Sequence, residues 1–410
     1  LQGQKLEKER YVGMALDFKK IMADALLELC ETKPLKSIKI SDITAHTGIS
    51  CQTFYNHFKS KSDLINWIYR ERIVVPQEPS SSKKVDLYAS MIFFYKSLKK
   101  YESFIQQVCK IEGEAGIKKC IENLETRWSD RYYKKFFEDG VVPQNVGFAI
   151  HYGSYAFIGV TIRWITSGMQ ETPHMMAMGR VDCLPRELRE FFLNDTRPET
   201  LVVDRHVFAH TARNEPVRKE EGTAIVANKT RFSDAILVLC ENKPLSKITI
   251  GDLLEKTGAG RQTFYRYFLD KNDLVQWTFL NKILYLSPDG KDFYYCWLEY
   301  YTQLTQHRKF LAQAGAVIGQ NCLFNYMLEC SENWYQKQYY NYYGEKNLPR
   351  DVAYAVRFHA YGVVSSIIDW AKSEEEISPE TLALWTCNCI PGPLRAYPFI
   401  RDLFEQLIEN

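Results

Sequence analysis

The sequence predicts an all-α protein built from two copies of one unit, each a small helical head followed by a longer helical body. Three observations carry this expectation: an internal repeat, apolar residues recurring every three or four positions, and almost nothing that alternates like a strand. Residues 30–67, CETKPLKSIKISDITAHTGISCQTFYNHFKSKSDLINW, align with residues 240–277, CENKPLSKITIGDLLEKTGAGRQTFYRYFLDKNDLVQW, at an offset of 210 with 19 of 38 positions identical. Beyond this block the offset falls to 206, because the first copy has a longer connection, VVPQEPSSSKKVD. Tyr95, Leu98, Phe104, Trp128, Ala149, Tyr155 and Trp164 then match Tyr301, Leu304, Phe310, Trp334, Ala355, Tyr361 and Trp370. CLPRELREF at 183–191 matches CIPGPLRAY at 389–397. A repeat this long is a duplicated domain pair, not a solenoid. The expected layout is a head over 14–64, a body over 65–194, a charged linker with Pro198 and Pro216 over 195–222, a second head over 223–274 and a second body over 275–410.

Each head is legible helix by helix. Phe18, Ile21, Met22, Ala25, Leu26 and Leu29 place an apolar stripe on a first helix, which ends at Lys33-Pro34-Leu35 because proline cannot continue it. Ser41 is the expected N-cap of a short second helix, and Gly48 breaks that helix where a tight turn needs a permissive backbone. Ser50 caps a third helix, CQTFYNHF, in which Phe54 and Phe58 face inward while residues 51, 52, 53, 55 and 57 lie on or beside the open side. Gly251, Gly258 and Gly260 occupy the three matching positions of the second copy. Ser60 with Asp63, and Asp270 with Asp273, start the longer helix that follows. Helix, glycine turn, helix is the helix-turn-helix layout, whose last helix offers its N-terminal side chains to the major groove.

The runs T-G-I-S-x-x-T-F-Y-x-H-F-x-x-K-x-D-L and T-G-A-G-x-x-T-F-Y-x-Y-F-x-x-K-x-D-L resemble the DNA-binding head of the tetracycline-repressor (TetR-type) regulators. The resemblance is close over each head and looser over the bodies. It implies that Ser50, Cys51, Gln52 and Thr53 approach bases or sugars, while Tyr55, His57 and Lys61 hold phosphates. In the second copy it implies Gly260, Arg261, Gln262 and Thr263 for the groove and Tyr265, Tyr267 and Lys271 for phosphates, with Arg266 nearby. A tyrosine hydroxyl and a lysine at a helix edge fix register on the backbone without reading sequence. Arginine binds guanine bidentately and cysteine cannot, so the two half-sites are expected to differ. The expected role is a repressor on double-stranded DNA, reading an asymmetric operator.

YASMIFFYKSLKKYESFI and FYYCWLEYYTQLTQHRKFL set the helical periodicity of the bodies. Trp128, Tyr132, Tyr133, Phe136 and Phe137 in one copy, and Trp334, Tyr335, Tyr339, Tyr340, Tyr342 and Tyr343 in the other, are core candidates that can also line an effector pocket. By the same resemblance, segments 147–167 and 353–373 meet as a four-helix interface within one chain, which predicts a monomeric pseudo-dimer.

A net charge of +2, with 46% hydrophobic and 25% charged residues, fits a globular chain and does not itself announce a nucleic-acid binder. No apolar run approaches the length of a membrane span, and LQGQKLEKERYVG has no apolar signal core, so the cytoplasm is the expected compartment. The 11 cysteines form no CxxC pair, and Cys387 with Cys389 reads as thiols before zinc. His206 and His210 beside Asp204 have metal-ligand spacing, yet neither copy repeats them. No cofactor is expected. An enzyme is disfavoured by the absence of GxSxG, HExxH or a phosphate-cradling glycine loop. The alternative is a protein-interaction adaptor or coactivator with weakened DNA binding, suggested by Cys51 and Gly260 at groove positions.

Overall fold

The computed structural model describes residues 17–74, 86–111, 118–119, 121–122, 141–192, 223–284, 293–317 and 322–395. Among them every regular element is helical, as the sequence predicts. The first copy comprises α1 (Phe18–Thr32), a 3-10 turn (Leu35–Ser37), α2 (Ile40–Thr47), α3 (Cys51–His57), α4 (Lys61–Ile68), α5 (Leu87–Lys100), α6 (Glu102–Val108), α7 (Gln144–Thr166), α8 (Pro173–Asp182) and α9 (Arg186–Phe192). The second comprises α10 (Thr223–Asn242), a 3-10 turn (Leu245–Lys247), α11 (Ile250–Thr257), α12 (Arg261–Tyr267), α13 (Lys271–Thr278), α14 (Phe293–Gln306), α15 (Arg308–Ala314), α16 (Leu323–Tyr343), α17 (Arg350–Lys372), α18 (Pro379–Asn388) and α19 (Gly392–Arg395). From the 3-10 turn to the end of the fourth head helix, every boundary in the second copy lies 210 residues beyond its counterpart, so the sequence repeat is also a structural one. After α4 and α13 the chain continues in wider π-turns, Tyr69–Val74 and Phe279–Ile283.

Most of the expected punctuation holds. Gly48 and Gly258 adopt φ 69° and 63°, left-handed values that a side chain would strain. Ser50 Oγ accepts from the Thr53 N–H at 3.0 Å, and Asp270 Oδ1 from the Asp273 N–H at 2.9 Å. Ser41, expected as an N-cap, instead lies inside α2, which begins one residue before it. Asp42 starts that helix from within, its Oδ2 accepting from the Lys39 N–H at 2.8 Å. In the second copy Thr249 and Asp252 form the complete reciprocal box, at 2.7 and 3.2 Å. The signal was three residues before an aspartate, not the serine beside it.

The chain divides into two compact units, residues 1–132 with 161–178, and residues 133–160 with 179–410. In the first, Phe54, Leu64, Phe94, Tyr95 and Phe104 are sealed from solvent, and Tyr95 meets Trp164 edge-on at 5.4 Å. In the second, Tyr301 repeats that contact with Trp370 at 6.1 Å.

The second unit also holds the face on which helices of the two copies pair. Tyr152 of α7 donates or accepts a 2.6 Å bond with His359 Nδ1 of α17, and its ring lies over Gly362, where a Cβ would come within 2.6 Å of it. Tyr361 lies over Gly159 in the same way, and Tyr354 over Gly179. Arg180, a residue only 6% exposed, places its guanidinium between Phe157 of one copy and Phe358 of the other, 5.2 and 5.4 Å from the ring centres. These contacts join the 147–167 and 353–373 segments over the part of α7 that belongs to this unit. They also show what sequence did not: glycine in one copy receives an aromatic ring from the other, while the matched positions Ala156, Ser365 and Trp385 are larger.

Candidate nucleic-acid interface

The open face of each head is made by the first turns of α3 and α12. Phe54 and Phe58 are 0% and 2% exposed, and Phe264 and Phe268 repeat those values, so each helix has one side committed to the core. The other side is thereby turned outward: Ser50, Cys51, Gln52 and Tyr55 are exposed, and so are Gly260, Arg261, Gln262, Tyr265 and Arg266, with Thr53, His57, Thr263 and Tyr267 half-buried at the margins. Tyr55 and Tyr265 expose 55% and 49% of their surface although each leans edge-on against the buried phenylalanine beside it. Such a ring is held by packing while its hydroxyl stays in water, a good posture for a phosphate oxygen.

The finer bonds distinguish the heads. Gln52 Nε2 donates to Asn56 Oδ1 at 3.3 Å, and the Cys51 thiol lies 3.6 Å from Thr44 Oγ1. His57 stacks on Phe18 at 5.6 Å, whereas Tyr267 at the matched position accepts from Asn228 Nδ2 at 3.2 Å. Arg231 donates to the Thr257 carbonyl beside the turn glycine.

Lys61 and Lys271 have partners that the sequence did not suggest. The Lys61 ammonium donates to the Leu35 and Ile38 carbonyls, both at 2.7 Å, and Lys271 to those of Leu245 and Ile248 at 2.7 and 2.9 Å. Two of three donors are thus turned inward. Burial of both groups draws their pKa below the ordinary lysine value. Sequence reasoning also passed over Gln107 and Gln313, whose amides bond to the same connection; their identity at an offset of 206 was the available signal.

The second body contains a cavity of about 90 Å³, lined among others by Phe279, Trp297, Tyr300, Met327, Trp334 and Tyr335. Trp334 and Tyr335 were aromatic candidates from sequence. Tyr339 is buried, and Tyr340, Tyr342 and Tyr343 are exposed. Trp297 and Tyr335 also meet His359 edge-on, at 6.0 and 5.4 Å. Burial pulls the His359 pKa down to about 3, so its ring is neutral. Its Nε2 and the Tyr335 hydroxyl are buried without a hydrogen-bond partner among the described residues. Trp128, Tyr132, Tyr133, Phe136 and Phe137 of the first body lie outside the described residues, as do Asp204, His206 and His210. Among the described residues no group of three or more His, Cys, Asp or Glu side chains is placed to hold a metal, Cys387 and Cys389 are buried thiols, and no helix is long and apolar enough to cross a membrane.

Residues 23–67 match the family described as bacterial regulatory proteins, tetR family. Residues 86–179 and 291–392 both match a transcriptional regulator C-terminal region, so the body is found twice. The chain is 38% identical over 50 residues to the HTH-type dhaKLM operon transcriptional activator DhaS of Lactococcus lactis subsp. lactis (strain IL1403), a match covering 12% of this chain and 27% of that protein. The chain therefore spans about a quarter of the length of that relative. A solved structure of a dihydroxyacetone kinase operon activator DhaS aligns at 20% identity with a TM-score of 0.33, covering 42% of this chain and 95% of that one.

Proposed function

The chain belongs to the tetR family of bacterial regulatory proteins, and from that premise we propose that it binds DNA through both heads, each reading its own half of an asymmetric operator. The observation that carries this reading is the pair of open helix faces, identical in bounds and unequal in chemistry: Cys51, Asn56 and His57 on one, Arg261, Arg266 and Tyr267 on the other. Family members with two identical heads read near-palindromes, since a two-fold axis in protein imposes one on DNA. Fusion of two unlike copies lifts that constraint. Half-sites about one helical turn apart, with guanine under the second head, are the expected target.

Repression by occupancy is the simplest consequence, because it requires nothing beyond binding. Transcript levels beside the bound site test the sign: a rise on deletion supports repression, and a fall makes the protein an activator, as the relative's printed name describes that protein. Binding itself is tested by measuring affinity for random and selected duplexes across salt concentrations. A binder releases counterions and loses affinity steeply as salt rises; no salt-dependent association supports the adaptor reading instead.

The cavity in the second body supports an effector as a further element of the proposal. Its aromatic lining suits a small, mostly apolar molecule. Phe279 and Leu284, in and just after the π-turns that follow the second head, are part of the lining, so an occupant touches the segment joining head to body. Release of the selected duplex by small apolar compounds, lost on filling the cavity with Val364→Phe, is the expected outcome.

A further inference from the structure

We propose that Gln107 and Gln313 are positioning residues that fix each head's register on its own body, and so the half-site spacing the protein accepts; the proposal rests on both heads binding DNA. Gln107, on α6, donates through Nε2 to the Cys30 carbonyl at 2.8 Å, and its Oε1 accepts from the Leu35 N–H. Gln313, on α15, does the same with Cys240 at 2.9 Å and with Leu245. One planar amide thus spends a donor on the last turn of the first head helix and an acceptor on the connection that follows it. Apolar contact alone would hold these helices together over a range of angles; two directional bonds from one amide hold one angle.

The same connection is gripped from the other side by Lys61 or Lys271, so it is fixed between the fourth head helix and the body. The first head helix packs on the second and the fourth in both copies, and on α6 or α15 of the body, so the glutamine sits where the head meets the body. In the second copy the joint continues inward. A Cβ on Gly315, just past α15, would lie 2.8 Å from the Ile368 side chain of α17, and Val363, Val364 and Ile367 of that helix line the cavity. A displacement of α17 there reaches Gln313 through close-packed contact.

The test uses the full chain carrying Gln107→Met and Gln313→Met, singly and together, because methionine keeps the length and removes both bonds. Affinity is measured for duplexes with one half-site, with both at the selected spacing, and with that spacing changed by one or two base pairs. The double variant is expected to hold single half-sites within about twofold, lose about tenfold on the paired site and tolerate spacings the wild type rejects. Equal losses on single and paired sites, with spacing preference intact, overturn the proposal. Hydrogen exchange at the Leu35 and Leu245 amides gives a readout without DNA: each is expected to speed about tenfold in its own variant while α4 and α13 amides keep their protection. Unchanged exchange at Leu35 and Leu245, or loss of protection throughout the head, also overturns it. A wild-type chain that binds neither half-site removes the DNA-binding reading and leaves exchange to decide the clamp.

Discussion

At the first position of the outward-facing third head helix the second head carries the Arg261 guanidinium where the first carries the Cys51 thiol, on helices with matching bounds. A guanidinium has five donors in a planar fork that fits guanine O6 and N7, and a thiol is a weak single donor. Arg261→Ala is therefore expected to cost about 1–3 kcal/mol on the selected operator, read by fluorescence anisotropy, and Cys51→Ala under about 0.5 kcal/mol. His359 gives a residue-scale prediction about pH. Its pKa falls from 6.5 to about 3 on folding, so below pH 6.5 the unfolded chain takes up a proton the folded one refuses. Stability from this group is intact above pH 6.5 and declines as pH falls toward 3, by about 1.4 kcal/mol per unit as an upper bound. Denaturant melts between pH 7 and 5 are expected to show a steeper decline in the wild type than in His359→Phe; parallel curves would remove His359 as the cause.

Among the elements, α7 and α17 pair through shapes that are not interchangeable. Gly362→Ala drives a Cβ to 2.6 Å from the Tyr152 ring and is expected to destabilise by about 1–3 kcal/mol. Ala156→Gly, the matched position in the other copy, opens space and is expected to cost about 1 kcal/mol or less. Equal effects in calorimetry would mean that the face is symmetric after all. The sequence made the helices, their turn glycines and the outward face of α3 and α12 readable, because local periodicity and backbone chemistry decide those features. It did not reveal the Tyr152–His359 bond, the ring-over-glycine contacts or the Gln107 and Gln313 clamps, which join residues far apart in the chain and leave no periodic trace. Lys61 was legible as a head residue, but its inward bonds to Leu35 and Ile38 were not, since a lysine near a helix start looks the same whether it faces carbonyls or phosphate.

For the whole molecule, duplication followed by divergence is the organising fact. Tyr152 of one copy bonds to His359 of the other and covers its Gly362, a contact between copies within one chain. Size-exclusion with light scattering is expected to return one chain's mass, 47.9 kDa; an obligate dimer would mean that self-association completes the assembly. Two unlike heads on one chain, each reading its own half-site, remain the central claim. Hydroxyl-radical footprinting of one bound chain on its selected operator tests it most directly, comparing wild type with Arg261→Ala and Cys51→Ala. Two unequal protected halves are predicted, with Arg261→Ala weakening protection under the second head alone and Cys51→Ala leaving both nearly unchanged. A perfect palindrome with equal losses from the two substitutions would contradict it.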